Sequence, residues 1–260
     1  MSRVVDVAFE RNREDMTEAI ASAMAGGDTG FAAWFNQTDT FEESFVRGAW
    51  DFSFYFITPE VCRYFDQPED KNCLEIGYGG GRLLQASRQY FRHSYGVDVH
   101  AFADKVETLL RERDPRDNFT LFTQRDENIP LPDHSVHYVY STIVIQHFYS
   151  HEIFVRYVQS ISRVLEPGGL VNLYFADVRK HHGRRWLKYL TGGWRGYIEE
   201  ARPPDARTAY NTLWMTRGYV RRVLAANGFD LLGFTDSFKR VPDGYPCRPG
   251  SQSGVLAKKL

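Results

Sequence analysis

The residues Glu75-Ile76-Gly77-Tyr78-Gly79-Gly80-Gly81-Arg82 follow the apolar pair Cys73-Leu74 and open into a helical pattern. Glycine tolerates positive φ and carries no Cβ, so backbone amides in such a turn can come close to a small polar ligand at a helix N-terminus. The spacing is G-x-G-x-G, which differs from the G-x-G-x-x-G of a dinucleotide fingerprint, and no Lys-Ser or Lys-Thr follows as a phosphate loop requires. A pyrophosphate is therefore disfavoured as ligand. A second acid, Asp98, stands near the end of the β-rich run Ser94-Tyr95-Gly96-Val97-Asp98-Val99. It falls about 20 residues beyond the glycines, where a doubly wound fold places its acceptor for ribose hydroxyls.

Two further landmarks follow in order. Ile129-Pro130-Leu131-Pro132-Asp133 leads into the strand-like Ser135-Val136-His137-Tyr138-Val139-Tyr140-Ser141, and Leu165-Glu166-Pro167-Gly168-Gly169-Leu170-Val171 closes a helix and starts another strand. The ordered set resembles the class I S-adenosylmethionine-dependent methyltransferases over roughly residues 50–176. That resemblance implies S-adenosylmethionine as cofactor, with S-adenosylhomocysteine as product. It implies that Glu75 supports the methionine amino group, that the backbone of Gly77, Gly79 and Gly81 faces the methionine and ribose portions, that Asp98 takes the ribose hydroxyls and that Val99 packs on the adenine. The position at which the family carries an adenine-contacting Asp holds Arg125 here, with Asp126 and Glu127 next, so either of these acids is a candidate for that contact. His137 stands in place of another Asp of the pattern and Val136 in place of a Phe.

Methyl transfer from a sulfonium is an in-line displacement helped mainly by alignment and dehydration, and a base is needed only for a protonated, weak nucleophile. His147 is the candidate base, its alternative being a buried, hydrogen-bonded histidine. His151 is expected in the cap of the next helix. Ser141, at a strand end, either contacts the methionine part of the cofactor or satisfies its own turn. Arg82 is expected to pair with an acid in a structural role.

A chain of 260 residues can bury a substantial core in one α/β domain. No apolar stretch approaches the roughly 20 residues of a membrane span, and the first residues lack a signal-peptide core, so a cytoplasmic protein without membrane association is expected. Three cysteines, Cys62, Cys73 and Cys247, share no metal-ligand spacing; they are expected to be reduced thiols, and no metal is expected. The net charge of −1 argues against nucleic acid as partner. The strip 179–195 is nonetheless basic, with Lys180, Arg184, Arg185, Lys188, His181 and His182; a solvated helix face is the simpler account, a cationic wall or RNA surface the sharper one.

The elements that must position these residues follow from periodicity. Helical spacing over 3–25 ends at Gly26-Gly27-Asp28-Thr29-Gly30, and 31–65 is rich in aromatics. Pro59 is expected to begin a helix leading to the first strand. Strands near 73–77, 94–99, 119–123, 136–141 and 169–176 alternate with helices near 81–92, 101–113 and 151–165, the βαβ rhythm of a parallel sheet. Thr216 is expected to cap a helix over 217–227 that Gly228 stops, followed by strands at 229–238 and 254–259. The expected architecture is a doubly wound, mostly parallel seven-stranded sheet with an antiparallel last strand. Residues 1–70 are expected to form a helical, aromatic cap and 71–260 the methyltransferase domain, with a lid insertion at about 178–215. Trp50 and Phe54 are expected to approach the cofactor.

The function expected is methyl transfer to an O or N atom of a small or medium-sized acceptor, with the oligomeric state open. The alternatives are an inactive cofactor-binding partner or regulatory subunit, an RNA methyltransferase using 179–195, and use of the fold for non-methyl chemistry.

Overall fold

The computed structural model describes residues 2–36, 40–180, 194–202, 210–236 and 252–260. Seven strands form one sheet in the order β3-β2-β1-β4-β5-β9-β8. They are β1 Asn72–Ile76, β2 His93–Asp98, β3 Phe119–Thr123, β4 Val136–Ser141, β5 Leu165–Ala176, β8 Phe229–Asp236 and β9 Gln252–Lys259. The strand β9 runs antiparallel to both β5 and β8, as expected of the last strand. The short strands β6 Tyr197–Glu199 and β7 Leu213–Met215 pair antiparallel in a separate sheet. The chain divides into two compact units, 13–125 and 1–12 with 126–260.

Within the unit 13–125, β2 pairs in parallel with β1 on one side and β3 on the other. Helix α1 Ser2–Met24, of which residues 13–24 belong to this unit, α2 Gly27–Asn36, α3 Phe41–Tyr55 and α4 Pro59–Tyr64 precede β1, α5 Arg82–Ser87 follows β1, and α6 Ala103–Arg113 follows β2. Pro59 opens α4 behind Thr58, whose hydroxyl accepts from Val61 N–H, as expected. The core joins Ile20, Phe31, Phe45, Tyr78, Leu84, Val106, Leu110 and Phe119. As expected, α1 ends at Met24, just before Gly26, but Gly27–Gly30 form the first turn of a second helix, α2, behind which Phe31 and Ala32 are buried. Gly30 is needed at that corner, since a Cβ there would lie 2.0 Å from the Ala23 carbonyl oxygen. The helix α5 is shorter than its pattern. Beyond Ser87 the amides of Gln89 and Tyr90 bond three residues back, to Ala86 and Ser87 carbonyls, which tightens the last turn.

In the other unit, β4 pairs in parallel with β5. Nearly all of Val136-His137-Tyr138-Val139-Tyr140-Ser141 is buried, as a parallel strand covered on both faces requires. Helix α7 His151–Val164 buries Ile153, Phe154, Tyr157, Val158, Ile161 and Val164, an apolar stripe at spacings of one, three and four. The strand β5 begins at Leu165, earlier than the sequence pattern suggests, and runs through the Pro-Gly-Gly segment with a register irregularity opposite Val136 to Tyr138. Helix α8 Arg217–Ala226 is capped by Thr216, whose hydroxyl accepts from Tyr219 N–H at 3.1 Å, and is followed by Gly228 at φ +80. No helix among the described residues is long and apolar enough to cross a membrane.

Candidate cofactor site

The glycine turn links β1 to α5. Gly77, Gly79 and Gly81 all have positive φ, at +78, +52 and +81. Gly77 N–H donates to the Val97 carbonyl at 2.7 Å, which ties the start of the turn to β2. Gly79 N–H donates to Asp98 Oδ2 at 2.8 Å, and the other carboxylate oxygen accepts from Val99 N–H at 2.7 Å and His100 N–H at 3.4 Å. The turn and the second acid are thus brought together. The Asp98 side chain keeps 13% of its surface exposed, and each oxygen has lone-pair capacity left. Val99 is half-buried beside it, and Glu75 is buried near the end of β1.

His100 packs against the same turn, and nothing in its sequence position signals it. Its Nδ1 accepts from Phe102 N–H at 3.1 Å, so the proton sits on Nε2, which donates to the Gly79 carbonyl at 3.0 Å. Gly79 is held by both of its backbone polar groups. Arg82 pairs with Asp51 of α3 at 2.5 Å, with both side chains largely buried, so its partner comes from the N-terminal helices. Trp50 is 59% exposed and, with Val46, Gln85 and Gln89, lines a surface cavity of about 480 Å³. The contact on the glycine turn is made instead by Phe35, which is half-buried.

The candidates of the other unit occupy different settings. Asp126 is exposed and its Oδ1 accepts from Asn128 N–H at 2.9 Å. Glu127 is buried, 4.0 Å from Arg156. The segment behind them is clamped by Arg163, which donates to the Leu131 carbonyl and pairs with Asp133, both at 2.8 Å. Ser141 is fully buried at the end of β4. His137, standing where the pattern has an acid, lies 3.5 Å from Glu166.

His147 is buried and engaged on both ring nitrogens. Nε2 accepts from the Gln146 amide at 3.1 Å, and Nδ1 donates to the Tyr210 carbonyl at 2.9 Å. Its carbonyl accepts from Asn12 at 2.9 Å. Burial pushes its imidazolium pKa down to about 4, with Arg202 acting in the same direction against the Tyr210 hydrogen bond. Nearby, Ile143 has φ +62 and is 47% exposed, an unusual conformation for a β-branched residue and one the sequence does not signal. His151 opens α7 as expected, and both its backbone N–H and its Nδ1 meet Glu199 Oε1, at 2.6 and 2.7 Å.

The basic strip is described only in part. Arg179 pairs with buried Asp177 at 2.8 Å and Lys180 with Asp236 at 2.9 Å. Burial would raise the Asp177 pKa, but hydrogen bonds from Arg179 and Ser253 hold it below the usual carboxylate value. His181, His182, Arg184, Arg185, Lys188 and Cys247 lie outside the described residues, as do Trp186 and Tyr189 of the expected lid. Among the described residues no group of three or more His, Cys, Asp or Glu is placed to hold a metal. Cys62 is exposed, whereas Cys73 is buried against Ser94 at 3.2 Å, its thiol pushed up to about 12 by burial.

Residues 74–173 match a family model for a methyltransferase domain. No curated protein matches the chain. Among solved structures, a methyltransferase from Methanosarcina mazei is similar with a TM-score of 0.60 at 19% identity, covering 78% of this chain and 98% of its own. An S-adenosylmethionine-dependent methyltransferase from Mesorhizobium loti scores 0.55 at 15% identity, covering 77% of this chain and 96% of its own. The [4+2]-cyclase SpnF scores 0.53 at 16% identity, covering 78% and 79%. At such identities the likeness is one of fold, and a cyclase among the neighbours shows that the fold alone does not fix the reaction. The sheet order, the glycine turn clasped by Asp98 and the matched segment agree: residues 74–173 resemble a methyltransferase domain, and the chain has the fold of the solved methyltransferases it is similar to.

Proposed function

We propose that the protein is an S-adenosylmethionine-dependent methyltransferase acting on an O or N atom of a small or medium-sized acceptor. The observation that carries this reading is Asp98, fastened by the amides of Gly79 and Val99 yet partly open to solvent. A carboxylate fixed in this way suits a pair of ribose hydroxyls, since its orientation is set before the ligand arrives. The names of the Methanosarcina and Mesorhizobium proteins, both S-adenosylmethionine-dependent methyltransferases, support the same cofactor.

When bound, the cofactor supplies an electrophilic methyl group on a sulfonium. The chain's task is then to orient and to exclude water. Asp98 accepts from the ribose, the backbone of the glycine turn faces the ribose and methionine portions, Glu75 supports the amino group and Val99 packs on the adenine. Asp126 is the better adenine candidate because it is exposed, whereas Glu127 is buried near Arg156. Ser141 remains the candidate of β4 for the methionine part.

His147 does not suit the role of catalytic base. A general base needs a lone pair within reach of the acceptor's proton, and here Nε2 accepts from Gln146 while Nδ1 donates to Tyr210. We assign it a structural role, fastening the loop after β4 to residue 210. Ile143, strained and exposed beside this loop, is the more suitable acceptor contact, because strain of about 1–3 kcal/mol persists only where its surroundings enforce it and such sites cluster at function. The RNA reading is weakened by the engagement of Arg179 and Lys180 with acids. A cytoplasmic location belongs to the same proposal.

The test is incubation of the purified chain with methyl-labelled S-adenosylmethionine and separate panels of small hydroxyl compounds, small amines and RNA. Label appearing in a small acceptor is expected. Tight S-adenosylhomocysteine binding with no transfer to any panel would favour the inactive partner, and label confined to RNA would favour the RNA enzyme.

A further inference from the structure

The glycine turn is occupied on one side by the protein itself. A Cβ built on Gly79 would lie 2.8 Å from Phe35 Cδ1, and one built on Gly80 would have Phe35 atoms as its three nearest neighbours, at 3.2, 3.4 and 3.4 Å. The missing side chains at these two positions therefore admit an aromatic ring from α2. That ring is anchored in turn. It meets buried Phe31 edge-on at 4.9 Å between centroids and lies 5.6 Å from the ring of His100. The Gly79 peptide is thus gripped at its N–H by Asp98, at its carbonyl by His100 and over its Cα by Phe35.

We propose that Phe35 is a positioning residue for the cofactor, through which helix α2 sets how tightly the glycine turn and Asp98 hold an adenosyl ligand. The proposal rests on the reading of that turn as a cofactor site. The hydrogen bond from Gly79 fixes one oxygen of Asp98, so a turn free to shift would misplace the acceptor. The ring bears on the two residues that form the apex of the turn. Nothing in the methyl-transfer chemistry requires Phe35, and its contribution should therefore appear in binding.

Gly80 provides a clean probe, because its φ lies outside the positive region and its nearest obstacles all belong to Phe35. The experiment is calorimetric titration of the intact chain with S-adenosylhomocysteine, comparing wild type with Phe35→Ala, Phe35→Leu, Gly80→Ala and the double variant Gly80→Ala/Phe35→Ala. Thermal midpoints are recorded alongside. Phe35→Ala is expected to weaken binding at least fivefold and Phe35→Leu less. Gly80→Ala is expected to weaken binding in the wild-type background but to cost little once Phe35 is Ala.

Affinity within twofold of wild type for folded Phe35→Ala, even with a lowered thermal midpoint, would overturn the proposal and leave Phe35 a packing residue. Independent multiplication of the two losses would overturn it as well. If Phe35→Ala does not fold, the same cycle is run with Phe35→Leu. Failure of the wild type to bind S-adenosylhomocysteine would instead defeat the underlying reading of the turn, and this inference with it.

Discussion

The glycine turn and the loop after β4 each carry polar residues beyond a strand end, yet they use them differently. At the turn, Gly79, Val99 and His100 supply backbone N–H groups to Asp98 and leave part of the carboxylate accessible. At the loop, Gln146, Tyr210 and Asn12 consume both ring nitrogens and the carbonyl of His147. The first arrangement fixes a carboxylate and leaves it partly open, and the second closes a group off. Residue type alone does not separate the two, because a conspicuous His or Asp near a strand end has either fate according to what its neighbours donate and accept.

The largest expected effect that separates the regions is in stability against pH. His147 has a folded pKa of about 4, against 6.5 when unperturbed. Between these values the unfolded chain binds the extra proton, so stability rises with pH through that window and is lost as pH falls from 6.5 toward 4. At 1.36 kcal/mol per pH unit the interval corresponds to about 3 kcal/mol. Chemical denaturation of wild type and His147→Gln at pH 4.5 and 7.5 checks this: the variant should show a shallower dependence, with its cofactor affinity at pH 7.5 retained. A pH dependence unchanged in His147→Gln would break the contrast.

A smaller effect is expected at Ile143. Glycine at this position relieves a left-handed backbone, a gain of roughly 1–2 kcal/mol that the greater freedom of the unfolded chain reduces by about 0.5–1 kcal/mol. Denaturation of Ile143→Gly should therefore show a slight stabilisation, together with weakened use of the acceptor. Lower stability would mean that the side chain is held by packing worth more than the strain.

Much of the fold was legible because it rests on local signals. The strand and helix alternation, the Thr216 cap, the Pro59 start and the stop at Gly228 each depend on a few neighbouring residues. The sequence also pointed to the partnership of the glycine turn with Asp98, through spacing. What escaped it depends on distant contacts. The start of α2 at Gly27 is stabilised by burial of Phe31, the partner of Arg82 comes from α3, and the positive φ of Ile143 has no counterpart in its residue type. Phe35 was one aromatic among a dozen in 31–65, and only its seat on Gly79 and Gly80 singles it out. His147 looked like a base by position, and only its hydrogen-bond partners show that both nitrogens are taken.

The central claim is that Asp98 and the glycine turn form an adenosyl-binding site. Its most direct test is calorimetric titration of wild type and Asp98→Ala with S-adenosylhomocysteine. The account predicts saturable binding by the wild type and a loss of about 1.5–3 kcal/mol in the variant, the worth of hydrogen bonds to a charged acceptor. Equal affinity in the two proteins, with the variant folded, would contradict it.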